Sequence, residues 1–82
     1  MEYYHGYISM KKTLYSQDHK FIVEQLKNAR KEAGLNQVKV AKLLGVTQSY
    51  VSKIEAGQRR IDILTLKEFI RIYKKPIDYF LT

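Results

Sequence analysis

Between Val46 and Gly57 the sequence VTQSYVSKIEAG interleaves two kinds of residue. Val46, Val51 and Ile54 are spaced like the buried positions of a short helix, and between them stand Gln48, Ser49, Ser52 and Lys53, all hydrogen-bonding groups. On a helical wheel of about 100° per residue, Val51 and Ile54 point one way. Ser49, Ser52, Lys53 and Ala56 fall on the opposite face, at i, i+3, i+4 and i+7, with Gln48 and Tyr50 flanking its N-terminal end. An amide, two hydroxyls and an ammonium on slim side chains suit a helix that enters a groove and bonds to the polar edges of bases.

Such a face needs elements to hold it. The stretch LNQVKVAKLLGVTQSYVSKIEAG, residues 35 to 57, reads as two helices of about two turns each joined at Gly45, the second lying across the first with one side free. Asn36 and Thr47 are placed to cap them, and Val40, Ala41 and Leu44 share the inner face of the first of the two. Before this pair, Ile22, Leu26, Ala29 and Ala33 form one apolar stripe of a leading helix that Gly34 ends. After it, Gln58-Arg59-Arg60 makes a polar, basic connection, and Asp62 caps a fourth helix with Leu66, Phe69, Ile70 and Tyr73 facing inward. Pro76 suits the first turn of a short fifth helix, Ile77 to Leu81. Glu55 lies at the edge of its helix's inward face, beside Val51 and Ile54, so it needs a partner.

Composition narrows the function classes. Eighty-two residues predict one domain with a core made of a few short helices, too small for a large internal active-site cavity. Fifteen Lys and Arg against eight Asp and Glu give a formal charge of +7, which favours polyanionic partners. The absence of cysteine excludes disulfides and thiolate zinc sites, and apolar runs no longer than three residues exclude a membrane span or a signal-peptide core. A cytoplasmic protein is expected. No Ser/His/Asp set, paired acids on one helix face or glycine-rich phosphate loop is visible, and His5 and His19 lack companion ligands. The reading is therefore no enzyme, no cofactor, no metal and no small-molecule substrate.

Residues 35 to 57, together with PIDYFL near the end, resemble the lambda-repressor and Cro superfamily of helix-turn-helix DNA-binding domains, the Xre-like regulators, over about residues 17 to 81. The resemblance rests on LNQ opening the second helix, Ala41 within it, LLGV through the turn and TQSYVSKIEAG as recognition helix. It implies that Gln37 anchors a phosphate and that Gln48 and Ser49 read bases, to which Ser52 and Lys53 on the same face are added. Arg59, Arg60, Lys39 and Tyr50 join the expected phosphate contacts. At Ala56 the chain departs from the common pattern, in which asparagine precedes the glycine and helps hold phosphate, and Arg59 or Arg60 is the expected replacement. The resemblance also implies a structural ion pair between Arg30 and Glu55.

The expectation is an all-α, five-helix lambda-repressor-like domain over residues 16–82, preceded by an irregular arm, residues 1–15, that holds four of the seven tyrosines. Met10-Lys11-Lys12 also reads as a start, which leaves residues 1–9 open as an upstream extension or non-native sequence. The expected function is a sequence-specific transcriptional regulator, a repressor, binding double-stranded DNA as a homodimer on a pseudo-palindromic operator. The dimer interface is expected at Ile77, Tyr79, Phe80 and Leu81, whose apolar groups one helix face cannot all bury. So short a chain leaves no room for a ligand-sensing domain, so regulation is expected from its own concentration, overlap with polymerase sites or a protein partner. Two alternatives stay open: the antitoxin of a toxin–antitoxin pair, using the tyrosine-rich arm on a protein partner, and a protein-interaction module without DNA function.

Overall fold

A computed structural model of the protein describes residues 17–81. The N-terminal arm, with His5 and its tyrosines, lies outside the described residues, as does Thr82. Four α-helices follow one another: α1 (Gln17–Glu32), α2 (Gln37–Leu44), α3 (Gln48–Glu55) and α4 (Ile63–Tyr73), with a 3-10 turn at Ile77–Phe80. No strand occurs among the described residues.

The boundaries follow from local chemistry. Asn36 Oδ1 accepts from the Lys39 N–H at 2.8 Å, the Thr47 hydroxyl from the Tyr50 N–H at 3.1 Å, and Asp62 Oδ1 from the Thr65 N–H at 2.8 Å, so each satisfies a first-turn donor that the helix leaves unpaired. The exits of α1, α2 and α3 share one device. At the α2–α3 corner, Gly45 takes φ 74°, its N–H donates to the Lys42 carbonyl, and the Val46 N–H reaches back to Ala41 at 2.9 Å. This pair of bonds closes the helix and reverses the chain, and the left-handed φ is one that a side chain makes costly. Gly34 and Gly57 repeat it.

Leu26 and Ala29 from α1, Val40 and Ala41 from α2, Val51 and Ile54 from α3, Leu66, Phe69 and Tyr73 from α4, and Phe80 form one core. α2 packs most closely on α3, and α1 braces both α3 and the 3-10 turn. Two expectations need correction. Ala33 is exposed because α1 ends at Glu32, and Val23 takes up the buried stripe instead, with Ile22 only half-buried.

The fifth helix is a 3-10 turn that stops at Phe80. Pro76 precedes it with an extended ψ of 157°, rather than lying in its first turn. Four residues are too few for an i→i+4 ladder, and the bonds formed are of the i→i+3 kind, Tyr79 N–H to the Pro76 carbonyl and Leu81 N–H to Asp78. Side chains from α1 fix its position. Gln25 Nε2 donates to the Tyr79 carbonyl at 2.8 Å, and Lys75 Nζ meets Glu32 Oε1 at 2.6 Å.

Candidate nucleic-acid interface

α3 has two unlike sides. Val51 and Ile54 are buried in the core, while Gln48, Ser49, Ser52 and Lys53 are exposed, so a single eight-residue helix is anchored by one face and displays hydrogen-bonding groups on the other. Ala56 is also exposed and caps the helix C-terminus in right-handed conformation.

The anchor includes a buried ion pair. Arg30 Nε donates to Glu55 Oε2 at 2.7 Å and Nη2 to Oε1 at 3.0 Å, a bidentate fork joining α1 to α3. The carboxylate side chain is only 4% exposed, so the fork is what makes its burial tolerable. Hydrogen bonds to Glu55 raise the Arg30 guanidinium above its ordinary pKa against the opposing effect of burial. Arg30 Nη1 also donates to the Leu35 carbonyl at 3.0 Å, which ties the α1–α2 corner to the same cluster. The buried Tyr73 hydroxyl has no hydrogen-bond partner among the described residues; burial, then the Glu55 charge, pushes its pKa well up.

Gln37 opens α2 and turns its amide inward. Its Nε2 donates to Glu55 Oε1 at 3.1 Å, and its Oε1 accepts from Gln48 Nε2 at 3.4 Å. Of the expected phosphate anchor, the second N–H of Nε2 and the main-chain N–H of a helix N-terminus remain for an anion.

The basic connection after α3 lies beside this face. Arg59 is exposed and stacks on the half-buried Tyr50, its Cζ 4.6 Å from the ring centroid. The ring's electron-rich face attracts the guanidinium charge, and a contact of this kind need not consume the N–H donors. Arg60 and Lys39 are exposed as well. Sequence reasoning missed a residue that holds this loop: His19 on α1 is buried and its Nε2 lies 3.3 Å from the Arg59 main-chain carbonyl oxygen. The two are forty positions apart, and no local pattern around His19 announces the contact.

The residues expected at a dimer interface divide. Phe80 is fully buried and belongs to the core, so it has no surface to offer; the turn that carries it packs on α1, which its position in a short apolar string did not indicate. Tyr79 is half-buried, whereas Ile77 and Leu81 are 41% and 51% exposed. Leu81 borders a shallow cleft of about 240 Å³ with Asp18, Phe21, Ile22 and Phe80.

A family model described as helix-turn-helix, of the Xre and lambda-repressor-like kind, matches residues 26–80. The chain belongs to that helix-turn-helix family. The match runs from the second half of α1 through the 3-10 turn and so takes in every core element. Xre-like helix-turn-helix domains are DNA-binding regulators, and the family is not one of enzymes. No curated protein matches the chain. Among the described residues, no helix of this helix-turn-helix domain is long and apolar enough to cross a membrane, and no group of three or more His, Asp or Glu is placed to hold a metal ion.

Proposed function

We propose that this helix-turn-helix protein is a sequence-specific transcriptional repressor of the cytoplasm that docks α3 in the major groove of duplex DNA and binds as a homodimer. The observation that carries the reading is the division of α3, with Val51, Ile54 and Glu55 buried and Gln48, Ser49, Ser52 and Lys53 exposed together. A helix that bound a protein groove would offer apolar anchors on its free face. This one offers donors and acceptors slim enough to reach base edges between the sugar–phosphate walls of the groove.

Roles divide by position. Gln48, Ser49 and Lys53 lie at the face's N-terminal and central positions and contact bases, with Ser52 making a smaller contribution. Arg59, Arg60, Lys39, Tyr50 and the remaining donors of Gln37 hold phosphates, which fix register without carrying sequence information. One copy with an eight-residue recognition helix can read about four to six base pairs, so useful specificity calls for two copies on half-sites about one helical turn apart. The exposed Ile77 and Leu81, with the edge of Tyr79, supply the apolar surface for the second copy. Repression follows from occlusion of polymerase sites by the bound dimer.

The test is selection on randomised duplexes for the wild type, Gln48→Ala and Arg59→Ala, beside affinities for random duplex at two salt concentrations. Gln48→Ala should relax preference at one position per half-site and leave random-duplex affinity nearly unchanged. Arg59→Ala should weaken selected and random duplexes alike. Absence of duplex binding at low salt would overturn the DNA reading.

A further inference from the structure

We propose that Arg30 and Glu55, a buried pair remote from the exposed face of α3, set which base Gln48 prefers by fixing the direction in which its amide points. The proposal rests on the reading of Gln48 as a base-contacting residue and adds the source of its selectivity.

A glutamine amide is ambiguous. One end accepts and the other donates, the two ends are nearly the same size, and a free Gln48 at the start of an exposed helix could present either. Presented one way, with acceptor and donor side by side, it complements adenine, whose major-groove edge offers the N6 donor and the N7 acceptor. Presented with its NH₂ outward, it complements the two acceptors of guanine, N7 and O6.

The ambiguity is removed from inside the protein. Arg30 only donates, and an ionised carboxylate only accepts, so the polarity of the first link has a single solution. Glu55 Oε1, already accepting from Arg30 Nη2, also faces the amide of Gln37. Turning the Gln37 oxygen toward that carboxylate would oppose two acceptors at 3.1 Å in a buried setting; only the Nε2 end fits there. Gln37 Oε1 is therefore the end presented to Gln48, and Gln48 answers with Nε2 at 3.4 Å. That leaves Gln48 Oε1 and one N–H facing outward, the adenine-complementary pair. The last link is at the long end of hydrogen-bond geometry and exposed, so it biases the amide rather than locking it. Arg30 and Glu55 are thus positioning residues, acting on base choice through Gln37.

The chain of links can be cut at its source. Replacing the pair by apolar side chains, Arg30→Met with Glu55→Met, leaves no buried unpaired charge and takes away the acceptor that selects the Nε2 end of Gln37, so Gln37 and with it Gln48 sample both orientations. A second variant, Gln37→Met, keeps the ion pair and removes the link, with the same result at Gln48.

The experiment is selection on randomised duplexes with the full chain as wild type, the double variant Arg30→Met with Glu55→Met, Gln37→Met and Gln48→Ala, each checked for folding by thermal melting. Gln48→Ala identifies the position that Gln48 reads. At that position the double variant should move the adenine-to-guanine ratio by about tenfold, the scale of one well-made contact, from adenine preference to close to one, with other positions unchanged. Gln37→Met should bring the ratio to the same value, and it decides the matter alone if the double variant does not fold. Wild-type preference at that position in a folded double variant or Gln37→Met protein would overturn the proposal while leaving the base-reading role intact. If Gln48→Ala changes preference nowhere, the base-reading role itself fails and the proposal goes with it.

Discussion

Arg59 sits over the ring of Tyr50, with 4.6 Å between its Cζ and the ring centroid, so the first basic side chain after α3 is held by an aromatic on α3 itself. The stack restrains a loop side chain that would otherwise lose rotamer freedom on meeting a phosphate. Tyr50→Leu should therefore weaken selected and random duplexes by the same factor, about two- to fivefold for a contact of about 0.5 to 1 kcal/mol, while the salt slope stays at its wild-type value. Arg59→Ala should lower that slope by about one unit per subunit, because a phosphate neutraliser is lost. Filter-binding or fluorescence titrations across a salt series separate the two.

The fork between Arg30 and Glu55 predicts a large and asymmetric stability effect. Glu55→Ala leaves a guanidinium inside the α1–α3 junction with only the Leu35 carbonyl to bond, and should destabilise the fold by about 2 to 4 kcal/mol. Denaturant unfolding measures it. A change within about half a kcal/mol would mean that the pair is solvated in solution and behaves as a surface ion pair.

How much of this was legible in the sequence depends on the distance over which each feature acts. The caps at Asn36, Thr47 and Asp62 work within three residues, and the glycines at 34, 45 and 57 within five, so local reading finds them. The exposed face of α3 follows from helical period alone. By contrast, Phe80 is buried because the turn that carries it packs on α1, where Gln25 holds the carbonyl of Tyr79, fifty-four positions further along. Periodicity over five residues carries no such information, and the string reads as surplus apolar surface. The same holds for Gln37: its place at a helix N-terminus is visible, but its bond to Glu55 exists only once α2 and α3 have crossed.

The division of the C-terminal residues gives a third prediction, which separates folding from assembly. Phe80→Ala removes a fully buried ring and should cost about 3 to 5 kcal/mol of stability whatever the oligomeric state. Ile77→Glu with Leu81→Glu alters exposed positions, so it should leave the melting transition within a few degrees of wild type and shift sedimentation from dimer to monomer. A double variant that stays dimeric would move the interface to another surface.

Asp62 gives the fold a dependence on acid. The Thr65 main-chain N–H, then the Thr65 side chain and the Leu64 N–H, hold the carboxylate below its ordinary value of 3.8. A carboxylate whose pKa is lower folded than unfolded stabilises the fold above the unfolded value, and that contribution is lost as the pH falls through the folded value. Asp62→Asn caps nearly as well and does not titrate. Thermal melts between about pH 6 and pH 2 should show the wild type losing its advantage over Asp62→Asn from about pH 4 downward. A constant difference across that range would show that the cap does not form in solution.

Lys74 is the one non-glycine residue with positive φ among those described, at φ 58° and ψ 43°, where its N–H closes α4 on the Ile70 carbonyl at 2.8 Å. In that conformation the Cβ crowds the following carbonyl oxygen, at a cost of roughly 1 to 2 kcal/mol for an L-residue. The other three helix exits use glycine at the equivalent place. Lys74→Gly relieves the crowding, but it also gives the unfolded chain more freedom and removes a cation that favours the helix C-terminus. Lys74→Ala removes the same cation and keeps the Cβ, so the two variants differ only in the backbone effect. Lys74→Gly should be more stable than Lys74→Ala by about 1 kcal/mol, read from the denaturant midpoint at unchanged slope. Equal midpoints would mean that α4 does not end in the left-handed conformation in solution, and the path of the chain into Pro76 and the buried Phe80 would then have to differ as well.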